Sequence, residues 1–393
     1  MWTLTGVAPA SSKASQSSSS QLIPGAVMIS AFGRSAMPTL YVRIGSCLVV
    51  QAANRDTPHL IMAERTSKKV LVTGGAGYVG SHAALELMRA GHRVTIIDTL
   101  ERGSAAVIER LQAQGPIEFI QGDCGDHSIL SPVLEDMDAI MHFAAYAKID
   151  ESVKFPDMYE KNNVDVTRIL LDCAVEHDVA SFMLSSTCAV YGTPSDTKRP
   201  VTENSPLAAA NPYGQSKISA ENLLRSAAEE GRIATGVLRY FNVLGSDEQG
   251  VLKEPIEDPR LVSACIQSAL GNRETLTVYG TEYDTPDGTA IRDFVHVTDI
   301  AGAHLAFMEA IEKGPMRIYN VGCGHGISVR SIIKAVEKAA GHGIPVIEGD
   351  PRKGDISAIW ADNSLIRSEL GWEPRYQDIN RMVATSWQAA TSD

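Results

Sequence analysis

Two short segments carry side chains that together could move a proton. PYGQSK places Tyr213 four residues before Lys217, and STCAVYG supplies the hydroxyl of Thr187. Residues four apart share one face of a helix, so the phenol and the ammonium can act at one place. A free tyrosine has a pKa of about 10, which a nearby positive charge lowers. We therefore predict that Tyr213 is a catalytic base, with Lys217 and Thr187 as its catalytic partners.

A glycine-rich segment predicts a dinucleotide site. KKVLVTGGAGYVG runs from an apolar stretch into a helical pattern, with Gly74, Gly77 and Gly80 between the two. Such glycines permit a tight turn, close approach of the backbone to a pyrophosphate, and close packing of helix on sheet. Asp98 ends the next strand, where a carboxylate accepts the ribose hydroxyls of NAD and repels the 2′-phosphate of NADP. Arg102 lies near enough to leave NADP open as the alternative.

Neighbouring residues extend this predicted cofactor site. Tyr78 and Val79 belong to the same turn, and Asp123 follows the third strand in QGDCGD, where an acid can accept the adenine amino group. HFAAYAK, residues 142–148, closes the fourth strand with small residues where the backbone would pass near a cofactor. Each of the last two features also fits an ordinary loop at a strand end.

The elements that must position these residues alternate between strands and helices from Lys68 onward. Short apolar runs predict buried strands, and amphipathic stretches between them predict helices. This order is typical of right-handed βαβ units, so we predict an α/β fold with a Rossmann-type doubly wound parallel sheet. The predicted strands are Lys69–Thr73, Arg93–Asp98, Ile117–Gln121, Ala139–Phe143, Ser181–Ser185 and Thr235–Tyr240. The predicted helices include His82–Arg89, Val166–Glu176 and Lys217–Glu229.

The chain after Asn242 is less regular and richer in glycine and proline. We predict a smaller C-terminal substrate-binding lobe there. Residues 67–245 would form the NAD-binding domain, with return elements around 288–325. Residues 246–287 and 326–393 would form the lobe.

The first 66 residues differ in composition from the rest and predict a presequence that is disordered or cleaved. Residues 1–55 contain four basic residues and no acidic residue, and serine is dense from Ser11 to Ser20. This is the composition of an organellar transit peptide, so we expect a plastid location. MAERTSKKVLVTGG, which begins at Met62, is an alternative start and would make the protein cytoplasmic.

Composition argues against several other classes of protein. The formal net charge is −12, and it becomes −15 without the five basic and two acidic residues of 1–66. Binding to nucleic acid or to an anionic membrane needs clustered Lys and Arg, so we expect neither partner. No uncharged apolar run is long enough for a membrane span. The six cysteines form no CxxC pair and have no accompanying histidine cluster, so we predict no metal site.

Five motifs together resemble one known family. TGGAGYVG, SSTCAVYG, PYGQSK, LRYFN and IRDFVHVTD are similar to those of the extended short-chain dehydrogenase/reductases. More narrowly, they resemble the UDP-glucose 4-epimerases and the related UDP-arabinose 4-epimerases. The resemblance runs from about Lys68 to Trp387 and implies tightly bound NAD that is regenerated in each turnover.

The resemblance implies roles for the catalytic residues. Tyr213 would remove the proton from the sugar 4-hydroxyl while hydride passes from C4 to NAD, which gives a 4-keto sugar. This sugar would then rotate about its diphosphate linkage and take the hydride back on its other face. Thr187 would orient the 4-oxygen, and Lys217 would hold the nicotinamide ribose and tune Tyr213. Asn163 and Tyr240 would lie beside the cofactor.

The resemblance also implies how the nucleotide end of a substrate is bound. Asn242, Arg292 and Arg352 match positions that contact the diphosphate, a task that suits arginine because its planar fork binds phosphate oxygens in pairs. Tyr279 matches an aromatic residue that packs on uracil. From the residues alone, the two arginines could equally be surface ion-pair partners.

Departures from the family pattern narrow the reaction. Ala147 and Arg260 replace a lysine and an asparagine, and these changes, with GSDEQGVLKEP, lean toward the arabinose 4-epimerase branch. Sugar 4,6-dehydratases carry Asp-Glu after the threonine, whereas Cys188 and Ala189 follow it here, so elimination lacks its acid and base. Ile359, at a position that lines the sugar pocket, leaves the size of that pocket open.

We therefore predict a UDP-sugar 4-epimerase that interconverts UDP-glucose and UDP-galactose, UDP-xylose and UDP-arabinose, or both pairs. An NAD-dependent nucleotide-sugar dehydrogenase with exchangeable cofactor is the enzymatic alternative. A non-catalytic NAD-holding member that binds RNA or scaffolds a complex is a second alternative. Family members commonly dimerise by packing two helices from each subunit, so we expect a homodimer through residues 166–176 and 217–229.

Overall fold

The computed structural model describes residues 67–256, 260–352 and 354–392, together with four short strands in the N-terminal part. These strands pair in chain order as an antiparallel sheet and comprise Val27–Ser30, Thr39–Ile44, Cys47–Ala52 and Leu60–Met62. The predicted presequence otherwise lies outside the described residues, so its role in targeting stays a prediction.

A seven-stranded sheet, in which every neighbouring pair is parallel, organises the rest of the chain. The strands from residue 67 onward, numbered in chain order and including those of smaller sheets, are β1 (Lys69–Thr73), β2 (Arg93–Asp98), β3 (Glu118–Gln121), β4 (Ala139–His142), β5 (Ser181–Thr187), β6 (Ala234–Tyr240), β7 (Asn242–Leu244), β8 (Leu276–Tyr279), β9 (Ile291–Arg292), β10 (Phe294–His296), β11 (Arg317–Val321), β12 (Ile327–Ser328), β13 (Val346–Gly349) and β14 (Ala358–Ile359). The sheet order is β11-β6-β5-β4-β1-β2-β3, so the winding direction reverses beside β1. This order confirms the predicted Rossmann-type doubly wound fold.

Helices cover both faces of this sheet. They are α1 (Tyr78–Arg89), α2 (Ala105–Gln112), α3 (His127–Leu134), α4 (Ile149–Lys154), α5 (Pro156–Glu160), α6 (Val166–Glu176), α7 (Pro212–Glu229), α8 (Leu261–Ala269), α9 (Val297–Ala310), α10 (Val329–Ala340), α11 (Ser364–Leu370) and α12 (Ile379–Thr391). A π-helical turn, Lys161–Asp165, joins α5 to α6, and a 3₁₀ turn, Cys188–Tyr191, follows β5. Within the described part of the chain, no helix has the length and apolarity that crossing a membrane requires.

Alternate residues of the strands point to opposite faces and enter separate cores. On β1, Val70 and Val72 pack in a cluster with residues of α1, α2 and α9, whereas Leu71 packs with α3, α6 and α7. Both faces of the sheet are therefore buried, which is why its strands read as continuous apolar runs in the sequence.

Two helices begin earlier than the sequence predicts. α1 begins at Tyr78 rather than His82, and α7 begins at Pro212 rather than Lys217. The start of α7 is fixed by Asn211, whose side chain accepts a hydrogen bond of 2.9 Å from the backbone N–H of Gly214. Proline favours the first helical turn because it needs no amide donor there, and the apolar pattern begins only later, so periodicity alone misplaces the start. Tyr213 and Lys217 consequently both lie on α7.

The C-terminal region builds a further core around α8, α10, α12 and β8. The predicted return elements rejoin the main sheet, since β11 pairs with β6 and α9 packs on α1. Short strand pairs, β7 with β10 and β9 with both β12 and β14, connect the two regions. The division into an NAD-binding domain and a substrate lobe stays a prediction.

Candidate active site

The predicted base and its hydroxyl partner lie together where β5 ends. The hydroxyl of Thr187, the last residue of β5, lies beside the phenol of Tyr213 in the first turn of α7, close enough to lower the pKa of that phenol. Thr187 Oγ1 also accepts a hydrogen bond of 3.2 Å from the backbone N–H of Ala189. Both side chains are half-buried, so a substrate hydroxyl can reach them.

Lys217 lies behind this pair, one turn further along α7. Its Nζ donates a hydrogen bond of 3.0 Å to the carbonyl oxygen of Ser185, and the residue is 3% exposed. Burial lowers the pKa of Lys217 to about 8, and the carboxylate of Glu221 acts against this change. The ammonium is therefore close to losing its proton near neutral pH.

The polypeptide alone does not lower the pKa of Tyr213, so the predicted lowering, which relies on a cationic nicotinamide ring as well as on Lys217, stays a prediction. Burial raises the pKa of Tyr213 to about 12, and the Thr187 hydroxyl only partly opposes it. The physical reason is that the Lys217 ammonium is directed at the Ser185 carbonyl. The phenol thus needs a further positive charge nearby before it can act as a base.

The residues predicted to lie beside the nicotinamide ring surround this site. Tyr240 on β6 is in register with Thr187, and its hydroxyl forms a short hydrogen bond with Ser185 Oγ. Burial raises the pKa of the Tyr240 phenol, which keeps it neutral.

Asn163 ties two elements of the site together from the π-helical turn. Its amide donates to the Tyr146 carbonyl at 2.9 Å and to Ser216 Oγ at 3.0 Å, and its oxygen accepts from the Tyr146 N–H at 2.9 Å. It therefore joins the loop after β4 to α7. π-helical turns are often found at functional sites, but no pattern in the sequence indicated this one.

The glycine-rich turn has the shape of an anion site. Gly74 has φ of +71°, and a Cβ on it would lie 2.6 Å from the backbone nitrogen of Ala144. A Cβ on Gly80 would collide with the carbonyl oxygen of Gly74. Gly77 precedes α1, and among the described residues no side chain caps this helix and no acid lies in its first turn. Its backbone N–H groups and its dipole can therefore favour a phosphate.

Two side chains of the same turn are used in packing. The Tyr78 hydroxyl donates to the Gly245 carbonyl at 2.5 Å, and the Arg260 guanidinium lies 4.5 Å from the Tyr78 ring centroid. Val79 packs against the hydrophobic core. Contact with a cofactor at these two positions would therefore come mainly from their backbone.

Asp98 lies directly beside the glycine-rich turn. Its carboxylate accepts hydrogen bonds from the backbone N–H groups of Ala76, at 3.0 Å, and of Leu100, at 2.8 Å. Asp123, in the loop after β3, accepts a hydrogen bond of 2.8 Å from the Gly125 N–H. Both predicted adenosine contacts thus lie at the carboxyl ends of neighbouring strands.

Arg102 is held away from a role in binding a 2′-phosphate. Its guanidinium forms two hydrogen bonds with Glu151, at 2.7 and 3.1 Å, and stacks 3.7 Å from the ring centroid of Tyr146. The Tyr146 hydroxyl in turn donates to Glu101 at 2.8 Å. Because it is paired with Glu151, this guanidinium is less available to bind a 2′-phosphate, which agrees with NAD rather than NADP as the cofactor.

The residues predicted for the nucleotide end form two groups. The guanidinium of Arg352 lies 4.1 Å from the ring centroid of Tyr279, and both side chains are exposed. Arg292 on β9 lies close to Cys188, next to Thr187, and its Nη2 is 3.5 Å from Asp355. Burial lowers the pKa of Arg292, and Asp355 opposes the change.

Asn242 is an exposed residue close to this second group. Its backbone N–H donates to the carbonyl oxygen of Asp293, the neighbour of Arg292, at 3.1 Å. Ile359 pairs in register with Arg292 and is buried in a small apolar cluster, so the size of the sugar pocket stays undecided.

Sequence reasoning missed a buried polar network behind the site. Ser186 and Glu221 are hydrogen-bonded, and Glu221 forms an ion pair with Arg239 on β6. The charged residue inside the apolar strand LRYFN was the available signal, because a buried arginine requires a buried partner.

One cluster of possible metal ligands lies away from this site. In the described part of the chain, ligand atoms of His127, Cys173 and Glu176 lie within 4.8 Å of one another. His127 and Glu176 are exposed and form a contact of 3.3 Å. The predicted absence of a metal site stays a prediction.

Comparison with known proteins gives a consistent family match. Residues 70–322 match the model of the NAD dependent epimerase/dehydratase family. The chain is 41% identical over 348 residues to the probable UDP-arabinose 4-epimerase 1 of Oryza sativa subsp. japonica, covering 85% of this chain and 82% of that protein. It is 37% identical to the UDP-glucose 4-epimerase of Lactobacillus helveticus, covering 81% and 96%.

Solved structures agree with this match. The UDP-glucose-4-epimerase from Stenotrophomonas maltophila, with bound NAD and formylated UDP-arabinopyranose, has a TM-score of 0.79 and 34% identity, covering 82% of this chain and 97% of its own. The UDP-glucose 4-epimerase from Bifidobacterium longum, in complex with NAD+ and UDP, has a TM-score of 0.76 and 38% identity, covering 82% and 98%.

Proposed function

The chain belongs to the NAD dependent epimerase/dehydratase family, and from this premise we propose that it is a UDP-sugar 4-epimerase that works by transient oxidation at C4. The observation that carries the proposal is the juxtaposition of the Thr187 hydroxyl and the Tyr213 phenol at the end of β5, with the buried Lys217 behind them. This set offers a proton acceptor, a group that orients the reacting oxygen, and a cation.

NAD is the cofactor of this reaction, and the residues fit it. The open N-terminus of α1 at Gly77 suits the pyrophosphate, and Asp98 suits the adenosine ribose. Lys217 and Tyr240 would hold the nicotinamide end. When bound, NAD supplies the oxidant for the sugar carbon and is regenerated within the same turnover. Its positive charge is also the kind of charge that would lower the pKa of Tyr213.

The side chains of the protein move and hold the proton. Thr187 would donate a hydrogen bond to the sugar 4-oxygen and fix it beside the Tyr213 phenol. Tyr213 would accept the 4-hydroxyl proton as the carbonyl forms, and would give it back when the alcohol is restored. Lys217 in its charged form would stabilise the phenolate.

Elimination of water is not supported at this site. Cys188 follows Thr187 directly, and burial raises the pKa of its thiol to about 12, so it stays neutral. Ala189 has no ionisable group. The acid and base that a dehydratase needs are therefore missing at the two positions after the threonine.

The nucleotide would bind across the two groups of residues at the C-terminal region. Tyr279 would pack on the uracil ring, and Arg352, already placed over the Tyr279 ring, would contact the diphosphate from one side. Arg292 and Asn242 would contact it from the side nearer to Thr187. Arginine suits this role because its planar fork binds two phosphate oxygens at once.

We propose that the enzyme accepts both hexose and pentose substrates. The similar proteins include UDP-arabinose and UDP-glucose 4-epimerases, at 41% and 37% identity. The test is a panel of UDP-glucose, UDP-galactose, UDP-xylose and UDP-arabinose without added NAD, with products separated chromatographically. Conversion of both pairs supports the proposal, whereas conversion of one pair alone identifies a 4-epimerase restricted to that class of sugar and contradicts dual specificity. Steady release of NADH with no 4-epimer would identify a net dehydrogenase instead.

We also propose a homodimer through α4 and α6. Ile149, Val153 and Phe155, on and just after α4, are 48%, 62% and 58% exposed, and Ile169 on α6 is 37% exposed. Apolar side chains of this size grouped on one part of the surface are typical of an interface. Of the two predicted dimer helices, α6 carries one of these residues, whereas α4 was not predicted.

A plastid location, with residues 1–66 as the transit peptide, is the remaining proposal. It is supported by the acid-poor, serine-rich composition of residues 1–55. Mass spectrometry of the mature N-terminus tests it. A mature chain that begins between residues 50 and 67 at a residue other than Met62 supports import with cleavage, whereas a chain in the cytoplasm that begins at Met62 or Met1 contradicts it.

A further inference from the structure

A fully buried ion pair lies behind the catalytic end of β5. Glu221 is on α7, one turn beyond Lys217, and Arg239 is on β6; each side chain is 1% exposed. The Arg239 Nε and Nη2 donate to the two carboxylate oxygens of Glu221 at 3.0 and 2.5 Å. Burying such a pair costs about as much desolvation energy as its attraction returns, so stability alone gives little reason for it.

Glu221 is also bonded to the strand that carries the catalytic hydroxyl. Its Oε1 accepts a hydrogen bond of 2.6 Å from Ser186 Oγ. Ser186 stands between Ser185, whose carbonyl oxygen binds Lys217, and Thr187. One carboxylate is therefore bonded to the strand segment that holds both the ammonium and the reacting hydroxyl in place.

The far side of the pair is fixed by further polar contacts. Arg239 Nη1 donates to the Tyr191 hydroxyl at 3.1 Å and to the Glu203 carbonyl at 3.2 Å. The Tyr191 hydroxyl donates to Asn320 at 2.6 Å on β11. Arg239 consequently cannot follow Glu221 if that carboxylate moves, and the position of the negative charge is set by the whole network.

Lys217 is surrounded by few groups that can balance its charge. Glu221 is the acid that acts on it, and His142 on β4 is kept neutral by burial and by Lys217 itself. In this low-dielectric environment a fixed carboxylate strongly favours the charged form of an amine. The titratable and charged groups around Lys217 and Tyr213 are Glu221 on α7, His142 on β4, Cys188 after β5, Tyr159 on α5, and Arg239 and Tyr240 on β6.

We propose that Glu221 is a positioning residue for the epimerase reaction, that it keeps Lys217 in its charged form, and that Arg239 sets how strongly it does so. This inference rests on the proposed function, because it is the 4-epimerase chemistry that requires a charged Lys217. Loss of the Glu221 charge removes the negative charge that acts on Lys217 and leaves the Arg239 guanidinium buried without its counter-charge, so the ammonium loses its proton at lower pH. Loss of the Arg239 charge has the opposite effect, so that Lys217 keeps its proton to higher pH. The Glu221 carboxylate is then no longer balanced by the guanidinium and acts more strongly on Lys217.

The pH profile of kcat tests the proposal with four enzymes. Activity falls on the alkaline side as Lys217 loses its proton, and the order of this alkaline limb is the readout. We expect the alkaline limb to lie at the highest pH in Arg239→Gln, then in the wild type, then in the double variant Glu221→Gln/Arg239→Gln, and at the lowest pH in Glu221→Gln. The limbs of the two single variants should be displaced from that of the wild type by about one pH unit in opposite directions. Ser186→Ala removes a hydrogen bond but no charge, and its limb stays with that of the wild type.

A direct titration separates this inference from the proposed function. Lysine labelled with ¹³C at Cε gives an NMR signal for Lys217, assigned with Lys217→Met, in the enzyme without sugar substrate. The same order of Lys217 pKa values is expected there. If the wild type epimerises but all four enzymes share one limb and one titration midpoint, the inference is overturned.

Three further outcomes bear on the proposal. If the titration order appears but the wild type converts no UDP-sugar, the proposed function fails while the charge coupling stands. If Glu221→Gln does not fold because Arg239 is left unpaired, the charge-neutral double variant and Arg239→Gln still bracket the wild type. A loss of activity in every variant with an unmoved limb would indicate a purely structural role and would contradict the proposal.

Discussion

The hydroxyl of Thr187 and the phenol of Tyr213 lie side by side although they belong to two elements, the end of β5 and the first turn of α7. This contact brings together two motifs that are separate in the sequence. It places a proton acceptor, Tyr213, beside a hydroxyl, that of Thr187, which can bind the 4-oxygen of the sugar.

Removal of the Tyr213 hydroxyl should stop catalysis without unfolding the protein. We expect Tyr213→Phe to lower kcat by about 10²- to 10⁴-fold, since the variant has no group to take up the 4-hydroxyl proton. Retention of NAD after gel filtration should be unchanged. The control is Tyr319→Phe, because Tyr319 is even more deeply buried than Tyr213 but bonds to the exposed Glu369. Equal losses in both variants would argue against a specific role for Tyr213.

The hydroxyl of Thr187, rather than its shape, should matter for the reaction. Thr187→Val keeps the volume of the side chain but removes the donor, so we expect kcat to fall by about 10- to 100-fold. Thr187→Ser restores the hydroxyl and should recover most of the activity. The prediction fails if the valine enzyme is as active as the serine enzyme in the same assay.

Asp98 should control the retention and choice of cofactor. Its carboxylate is bonded to the backbone of Ala76 and Leu100, at the place predicted for the adenosine ribose. We expect Asp98→Ala to retain less NAD on gel filtration and to lose about tenfold or more of its discrimination against NADP. Asp136→Ala is the control, since that acid is 78% exposed. Unchanged NAD retention and unchanged cofactor preference in Asp98→Ala would contradict the assignment.

Acid should destabilise the fold through four buried histidines. Burial lowers the pKa of His142 and His296 to about 3, and that of His82 and His304 to about 4. The unfolded chain binds these protons at about pH 6.5, so this stability is present above pH 6.5 and is lost as pH falls toward 4. Each histidine changes the free energy of unfolding by about 1.4 kcal/mol per pH unit in that range. Asp293 opposes the trend, because burial raises its pKa to about 6.

Urea unfolding between pH 7 and pH 5 measures this dependence. His304→Gln should remove one histidine from the slope of unfolding free energy against pH. His342→Gln is the control, because His342 lies on the surface. A slope that is flat in the wild type, or equal in the two variants, would show that the buried histidines do not govern acid stability.

A charge on the exposed apolar surface of α4 should break the proposed dimer. Val153 is 62% exposed, and we expect Val153→Glu to halve the mass seen by light scattering after gel filtration. Ile347 on β13 is 49% exposed outside this surface, so Ile347→Glu should leave the mass unchanged. A wild type that is already monomeric, or a dimer that survives Val153→Glu, rules out this interface.

Local patterns were sufficient to predict the six main strands and their winding. Strands that are buried on both faces require uninterrupted apolar runs. The glycine-rich turn requires glycine because of its backbone conformation and its close packing, so both features can be recognised in the sequence. The start of α7 was placed late because capping by Asn211 is a local contact that apolar periodicity does not report.

Contacts between distant segments could not be predicted. The bond from Lys217 to the Ser185 carbonyl depends on how α7 crosses the end of β5, and no spacing in the sequence encodes it. The same holds for Arg102, whose charge is neutralised by Glu151 on a different element. Burial, which also depends on how distant segments pack, is the main cause of the pKa shifts of Tyr213 and Lys217, so the chemistry could be predicted only in part from the sequence.

The most direct test of the account uses UDP-galactose labelled with deuterium at C4. A purified enzyme without added cofactor should produce UDP-glucose that keeps the deuterium at C4, because the label leaves and returns to the same carbon through bound NAD. Loss of the label to water, or its accumulation in free NADH, would contradict epimerisation by transient C4 oxidation.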